Sequence, residues 1–217
     1  LKAGATVSIV HVVPDAVPHE LRDAALARAS AQLQGVSADL ARVARDRGVE
    51  ITVQPTVLTG SPHVEIVRHA RSTSADLIVL GRHGPRPVRD AFLGTTAEGV
   101  VRKGDVPVLL VKDKPLGPYR RAVVAVDLSD ASRRVADLAI ALQPRDIRGL
   151  RLVHAYHVAF ESWRGEGDRA QYRREMEDHA GATLSSLVAT FAPRIACRTT
   201  IREGDPRVVV LREAVRA

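Results

Sequence analysis

The feature that most constrains this chain is an internal repeat. The aliphatic run Val7-Ser8-Ile9-Val10-His11-Val12-Val13 returns as Leu150-Arg151-Leu152-Val153-His154-Ala155-Tyr156, its histidine displaced by 143 positions. Each run leads through a polar loop into a long helical pattern. The first spans Leu21 to Arg47 and stops at Gly48; the second spans Arg169 to about Phe191 and stops at Pro193. Each helix is followed by a β-branched strand, Glu50–Thr56 and Ile195–Ile201, and then by a small turn. The turns are Thr59-Gly60-Ser61-Pro62 and Glu203-Gly204-Asp205-Pro206, with glycines 144 apart. Pro62 and Pro206 fall at the first helical position, where a missing N–H costs nothing. A repeat of this length is a duplicated domain, not a solenoid, whose periods are ~20–50 residues.

The two copies are cut differently. The first continues through the aliphatic strand Asp76–Leu80 into a glycine loop, a helix and the strand Val106–Val111. The second opens with Ala122-Val123-Val124-Ala125-Val126-Asp127 and a helix from Ser129 to Leu142, which have no counterpart in the first. The expected organisation is a first copy over residues 1–114 lacking its first strand and helix. A linker follows over 115–119. The second copy, over 120–217, lacks its fourth and fifth strands and its glycine loop. Repeat arithmetic puts the missing parts at roughly 20 residues before Leu1 and about 40 after Ala217. A permuted use of Ala122–Asp127 inside the first copy is the less favoured alternative, since the ten residues after Val111 reach at most ~35 Å. Strands alternating with helices predict an α/β fold, and near-continuous aliphatic strands predict a parallel sheet covered on both faces. In such sheets ligands bind beyond the carboxyl ends of the strands.

Composition narrows the functional classes. Aromatic residues are 3% of the 217, so the core is aliphatic and base-stacking platforms are scarce. The net charge is +7, but the arginines are scattered and only four lysines occur, so no clustered nucleic-acid footprint is expected. A single cysteine, Cys197, excludes an internal disulfide and a multi-thiolate metal site, and suits a reducing cytoplasm. No apolar run approaches the ~18 residues of a membrane span. His63 and His69 are six apart on one helix, which is not metal-pair spacing. No G-x-S-x-G nucleophile elbow is present, so no dedicated hydrolase is expected. His11 and His154 read as structural residues that bond a neighbouring loop.

The chemistry concentrates after Leu80. Gly81-Arg82-His83-Gly84 is followed by nine residues and then Gly94-Thr95-Thr96-Ala97-Glu98. Gly94 or Thr95 reads as a helix N-cap, with Glu98 at capping-box spacing from Thr95. Such a terminus offers free N–H donors to a phosphate, and Arg82, Arg86 and Arg89 add positive charge. The spacing is neither the Walker loop nor the dinucleotide fingerprint. From spacing alone, a phosphate loop and a plain turn before a capped helix stand about level. Gly99 interrupts the helix at a cost of ~1 kcal/mol.

Gly81-x2-Gly84-x9-Gly94-Thr95 resembles the nucleotide loop of the universal stress protein family. So do Ser74–Gly81 before it, the His83-Gly84 pair, the last strand Val106–Val111, and Ala125-Val126-Asp127-Leu128-Ser129 as first strand with its aspartate. The resemblance covers nearly the whole chain. It implies a Rossmann-like α/β fold: an open parallel five-stranded sheet in the order 3-2-1-4-5, flanked by helices, present as two tandem truncated copies. It further implies a stress-response protein binding ATP or a related adenine nucleotide, with Mg2+. The phosphates would meet Gly81, Arg82, His83, Gly84, Gly94, Thr95 and Thr96, the adenine the backbone of Val12, and the sugar or base Asp127. Hydrolysis would be slow at most. Pairing as a homodimer or an intramolecular pseudo-dimer through the last strand is also implied. A nucleotide-free dimerising module of the same fold is the alternative.

Overall fold

The computed structural model describes residues 4–81, 94–112, 121–142, 149–157, 166–193 and 195–216. The chain divides into two compact units, Leu1–Lys114 and Pro115–Ala217.

In unit 1, β1 (Ala5–Val13) pairs in parallel with β2 (Ile51–Thr59), with His11 opposite Val57. The connection between them is α1 (His19–Asp46), which ends where Gly48 turns to φ +63°. β2 turns at Gly60 into α2 (Pro62–Ser72). A second parallel pair, β3 (Ile78–Gly81) and β4 (Val108–Val111), is joined through α3 (Thr95–Lys103). The four strands therefore form two separate ladders, β1-β2 and β3-β4. Helix α2 is common to both. Its His69 Nε2 meets the Ser8 hydroxyl of β1 at 2.7 Å, and its Val67 and Ala70 are buried in one cluster with Ile78 of β3 and Val100 of α3.

Unit 2 holds a three-stranded parallel sheet in the order β5-β6-β7, from β5 (Ala122–Ala125), β6 (Leu150–Tyr156) and β7 (Cys197–Glu203). α4 (Asp130–Ala141) follows β5, α5 (Glu166–Phe191) connects β6 to β7, and α6 (Pro206–Arg216) follows β7. The core is aliphatic with one aromatic: Val124, Val126, Ala136, Leu150, Leu152, Leu184 and Phe191. β6 is the central strand and carries the deepest side chains, as a strand covered on both faces should.

The repeat is visible atom by atom. Gly60 at φ +136° donates its N–H to the Val13 carbonyl, and Gly204 at φ +141° donates to the Tyr156 carbonyl. Both turns need a backbone region that side-chain-bearing residues avoid, which is why both are glycine. The link from strand to following helix also recurs with changed chemistry. Ser8 and His69 in unit 1 correspond to Arg151 and Glu213 in unit 2, where Arg151 Nη1 donates to Glu213 Oε2 at 3.0 Å. Glu213 is buried, and Arg216 also reaches it.

Gly99 has a packing role that helix propensity alone does not suggest. A Cβ at this position would lie 2.7 Å from Cγ of His63 on α2. The absent side chain lets α3 rest on the imidazole. Replacing Gly99 by alanine gains ~1 kcal/mol of propensity but incurs overpacking of ~1–3 kcal/mol. Gly99→Ala should therefore lower the chemical denaturation midpoint, and His63→Ala in the same chain should recover the loss. A midpoint raised by Gly99→Ala alone would refute the contact.

Candidate functional site

Gly81 closes β3 at its carboxyl end, and Val12 stands next to last in β1, opposite Leu58. Gly94 is the N-cap of α3, with extended backbone at φ −60° and ψ 145°. Among the described residues no side chain caps this terminus. The expected capping box from Thr95 to Glu98 does not form. With Gly94 at the cap, Thr95 is already the first helical residue, and Glu98 lies one position too deep to reach back. Its N–H instead donates to the Gly94 carbonyl at 2.9 Å, and its carboxylate accepts from Arg102 Nη2 at 2.8 Å. The N–H groups of Thr95 and Thr96 have no acceptor within the helix itself. Arg82, His83 and Gly84, the remaining residues of the predicted loop, lie outside the described residues.

The structure places Val12, Gly81, Gly94, Thr95 and Thr96 in unit 1, and Asp127 in unit 2. Asp127 lies two residues past the end of β5. Its Oδ1 accepts from the Ser129 hydroxyl at 2.6 Å, the Ser129 N–H at 3.0 Å and the Ser132 hydroxyl at 3.0 Å. These donors, Ser129 foremost, hold the carboxyl at about 2, below the ordinary 3.8. The turn that permits this puts Leu128 at φ +65°, a left-handed conformation rare for a branched residue. One oxygen of the carboxylate is thus committed to organising the start of α4.

His154 takes the structural role read for it. It is 7% exposed, and its Nδ1–H donates to the Val126 carbonyl at 2.9 Å, tying β6 to the residue just past β5. Its counterpart His11 is exposed, and no strand of the β5 kind pairs with β1 among the described residues.

Beyond the carboxyl ends of β6 and β7 lies a polar network that sequence reasoning missed. The Tyr156 hydroxyl donates to Glu177 Oε1 at 2.7 Å, and Arg173 pairs with Glu203 at 2.7 Å. Burial, then Glu177, pushes the Tyr156 phenol up to about 12. The partners are separated by 21 and 30 positions, and no short motif joins them. In unit 1 the missed contact is His63. Lys103 Nζ donates to its Nε2 at 3.2 Å, so Nδ1 carries the ring proton towards the Ser61 hydroxyl at 3.4 Å. Burial raises the Cys197 thiol above its ordinary value, which disfavours the reactive thiolate.

The model of the universal stress protein family matches residues 1–112 and again 118–216. The chain belongs to the universal stress protein family. Its two units are tandem copies of that family's α/β fold, with helices flanking small parallel sheets. Among the relatives of this universal stress protein is one from Methanocaldococcus jannaschii, 38% identical over 66 residues, or 30% of this chain and 41% of that protein. Another, from Thermus aquaticus, is 33% identical over 115 residues, or 50% of this chain and 79% of that one. The match to the first relative spans about two fifths of its length. A universal stress protein structure from Archaeoglobus fulgidus shares the fold with a TM-score of 0.65 at 22% identity, covering 98% of this chain and 74% of that one. Among the described residues no helix is long and apolar enough to cross a membrane.

The Asp127 turn makes a pH prediction. A carboxyl depressed on folding adds stability at pH values above its ordinary 3.8, and that contribution is lost as pH falls towards about 2. A carbon-detected NMR titration of Asp127 should give a midpoint near 2, and Ser129→Ala and Ser132→Ala should each move it up towards 3.8. A wild-type midpoint at the ordinary value would contradict the hydrogen-bonded turn.

Proposed function

We propose that this protein is a cytoplasmic, nucleotide-responsive stress protein that binds ATP or a related adenine nucleotide at Gly81-x2-Gly84-x9-Gly94-Thr95. The observation that carries the reading is the start of α3, where glycine serves as N-cap and no side chain among the described residues caps the first N–H groups. A strand that ends in Gly81, followed across the loop by such a terminus, is suited to phosphate oxygens: the donors converge and the helix dipole adds positive potential. The hydroxyls of Thr95 and Thr96 extend the donor set, and Arg82, His83 and Gly84 complete it. Val12 would offer its backbone to the base. In unit 2, Asp127 would serve the sugar contact of its own copy through the carboxylate oxygen that the serines leave open.

Among the described residues no group of three or more histidine, cysteine or acidic side chains is gathered as a metal site. Mg2+ would therefore arrive on the phosphates, which suits an ion that keeps most of its water. In this reading binding is the signal and hydrolysis is slow at most.

A second reading, a nucleotide-free module that works by pairing, is favoured by the apolar side of α6, where Val208, Leu211 and Val215 are exposed. Calorimetric titration with ATP and Mg2+ separates the two. Gly94→Trp fills the approach to the helix start, as Gly84→Trp fills the loop, and each should weaken binding about tenfold or more. Affinity unchanged in both variants, with helical content preserved, would remove the phosphate-loop reading.

A further inference from the structure

Helices α2 and α3 do not close fully on one another. Beside their contact lies a cleft of about 330 Å³, lined by His63, Val64, Val67, Arg68, Arg71 and Lys103. That volume is at the lower end of the ~300–1,000 Å³ of small-molecule sites. The cleft is distinct from the start of α3, because Lys103 is the last residue of that helix. Its floor is apolar: Val67 is 6% exposed and Val64 37%. Its two ends are cationic. At one end the Lys103 ammonium gives an N–H to His63 Nε2 at 3.2 Å. Two more N–H groups remain on it, and no carboxylate among the described residues pairs with it. Arg71 lies eight positions beyond His63 on α2, about 12 Å along the helix axis. Asp105 holds it through Nε alone, at 3.0 and 3.1 Å, so both Nη groups keep no protein acceptor among the described residues. Arg68 is already paired with Glu65 at 2.8 Å. No carboxylate side chain lines the cleft.

We propose that this cleft is a second small-molecule site, and that it takes a small aliphatic dicarboxylate. One carboxylate accepts from the remaining N–H groups of Lys103. The other accepts from the Nη groups of Arg71, whose planar fork matches two carboxylate oxygens. The methylene chain between them lies on Val64 and Val67 and removes apolar surface from water. A compact, strongly hydrated anion such as phosphate or sulfate has nothing to offer the valines. A monocarboxylate answers only one of the two cationic ends. Both cations are held before a ligand arrives, the ammonium by His63 and the guanidinium by Asp105, so less side-chain freedom is lost on binding. Arg102, next to Lys103 in the chain, supplies a built-in comparison: it carries the same charge, pairs with Glu98 at 2.8 Å and does not line the cleft. A ligand bound in this way fastens the last turn of α3 to α2.

The test is calorimetric titration of the 217-residue chain, without nucleotide, with succinate, adipate and suberate. The best binder of the three is then compared with the monocarboxylate and the diamine of the same chain length. Saturable binding of at least one dicarboxylate is expected, with the monocarboxylate about tenfold weaker and the diamine silent. Lys103→Met and Arg71→Met should each weaken the dicarboxylate about tenfold. Arg102→Met should leave its affinity unchanged. Val64→Glu, at a partly exposed position of the floor, should abolish binding by setting a carboxylate where the methylene chain rests. Circular dichroism confirms that each variant is folded. No saturable binding of any of the three dicarboxylates overturns the proposal, and so does equal affinity for the monocarboxylate. A loss in Arg102→Met as large as that in Lys103→Met also overturns it, since the anion would then be answering only the net charge of +7.

Discussion

Parallel strand pairing governs this molecule. Parallel neighbours cannot be joined by a tight turn, so each ladder requires a crossover helix, and each crossover helix must bury its apolar side on the sheet it spans. α1 and α5 meet this requirement between β1 and β2 and between β6 and β7. The helix after the second strand is then fixed by a polar link back to the first, Ser8 with His69 in one unit and Arg151 with Glu213 in the other. The position is retained while the chemistry shifts from a hydroxyl–imidazole hydrogen bond to an ion pair. What the fold requires there is a tether between strand and helix, and either pair supplies it.

Most of the element order was legible because its signals are local. Gly48, Gly60 and Gly204 sit where the backbone turns to positive φ, and Pro62 and Pro206 begin their helices. The strands were found from aliphatic runs, although their bounds moved. The strand expected at Glu50–Thr56 is Ile51–Thr59, and that expected at Ile195–Ile201 is Cys197–Glu203. In both cases the strand continues to the turn glycine, because pairing with its neighbour goes on after the β-branched run has ended. Gly94 and Thr95 both stood as caps for α3; the structure takes Gly94, and with it the capping box of Thr95 and Glu98 is lost. Sequence spacing cannot decide between two adjacent capping residues, and one position decides whether Glu98 reaches backward or forward.

What sequence spacing did not disclose are contacts between residues far apart in the chain. His63 and Gly99 are separated by 36 positions, and glycine in a helix reads as a defect until the imidazole beneath it is seen. Asp127 was legible as a polar residue after a strand. The consequence of Ser129 and Ser132 converging on one of its oxygens emerged only from the turn at Leu128. Of the site residues expected from the family loop, Val12, Gly81, Gly94, Thr95 and Thr96 lie at or near strand and helix ends, where turns and caps leave their mark on the sequence. That is why glycines were the informative signal.

The seat of α3 on His63 has a mechanical side. The helix begins at the glycine N-cap and rests, five residues later, on a ring that belongs to the first turn of α2. Lys103 grips the same ring from the far end of α3, and Ser61 holds its other nitrogen next to the Gly60 turn. With no slack at Gly99, α3 cannot slide along its axis without carrying the imidazole with it. Force applied at the start of α3 is therefore delivered to the end of β2, through an aromatic ring working as a bearing and not through the backbone that connects them.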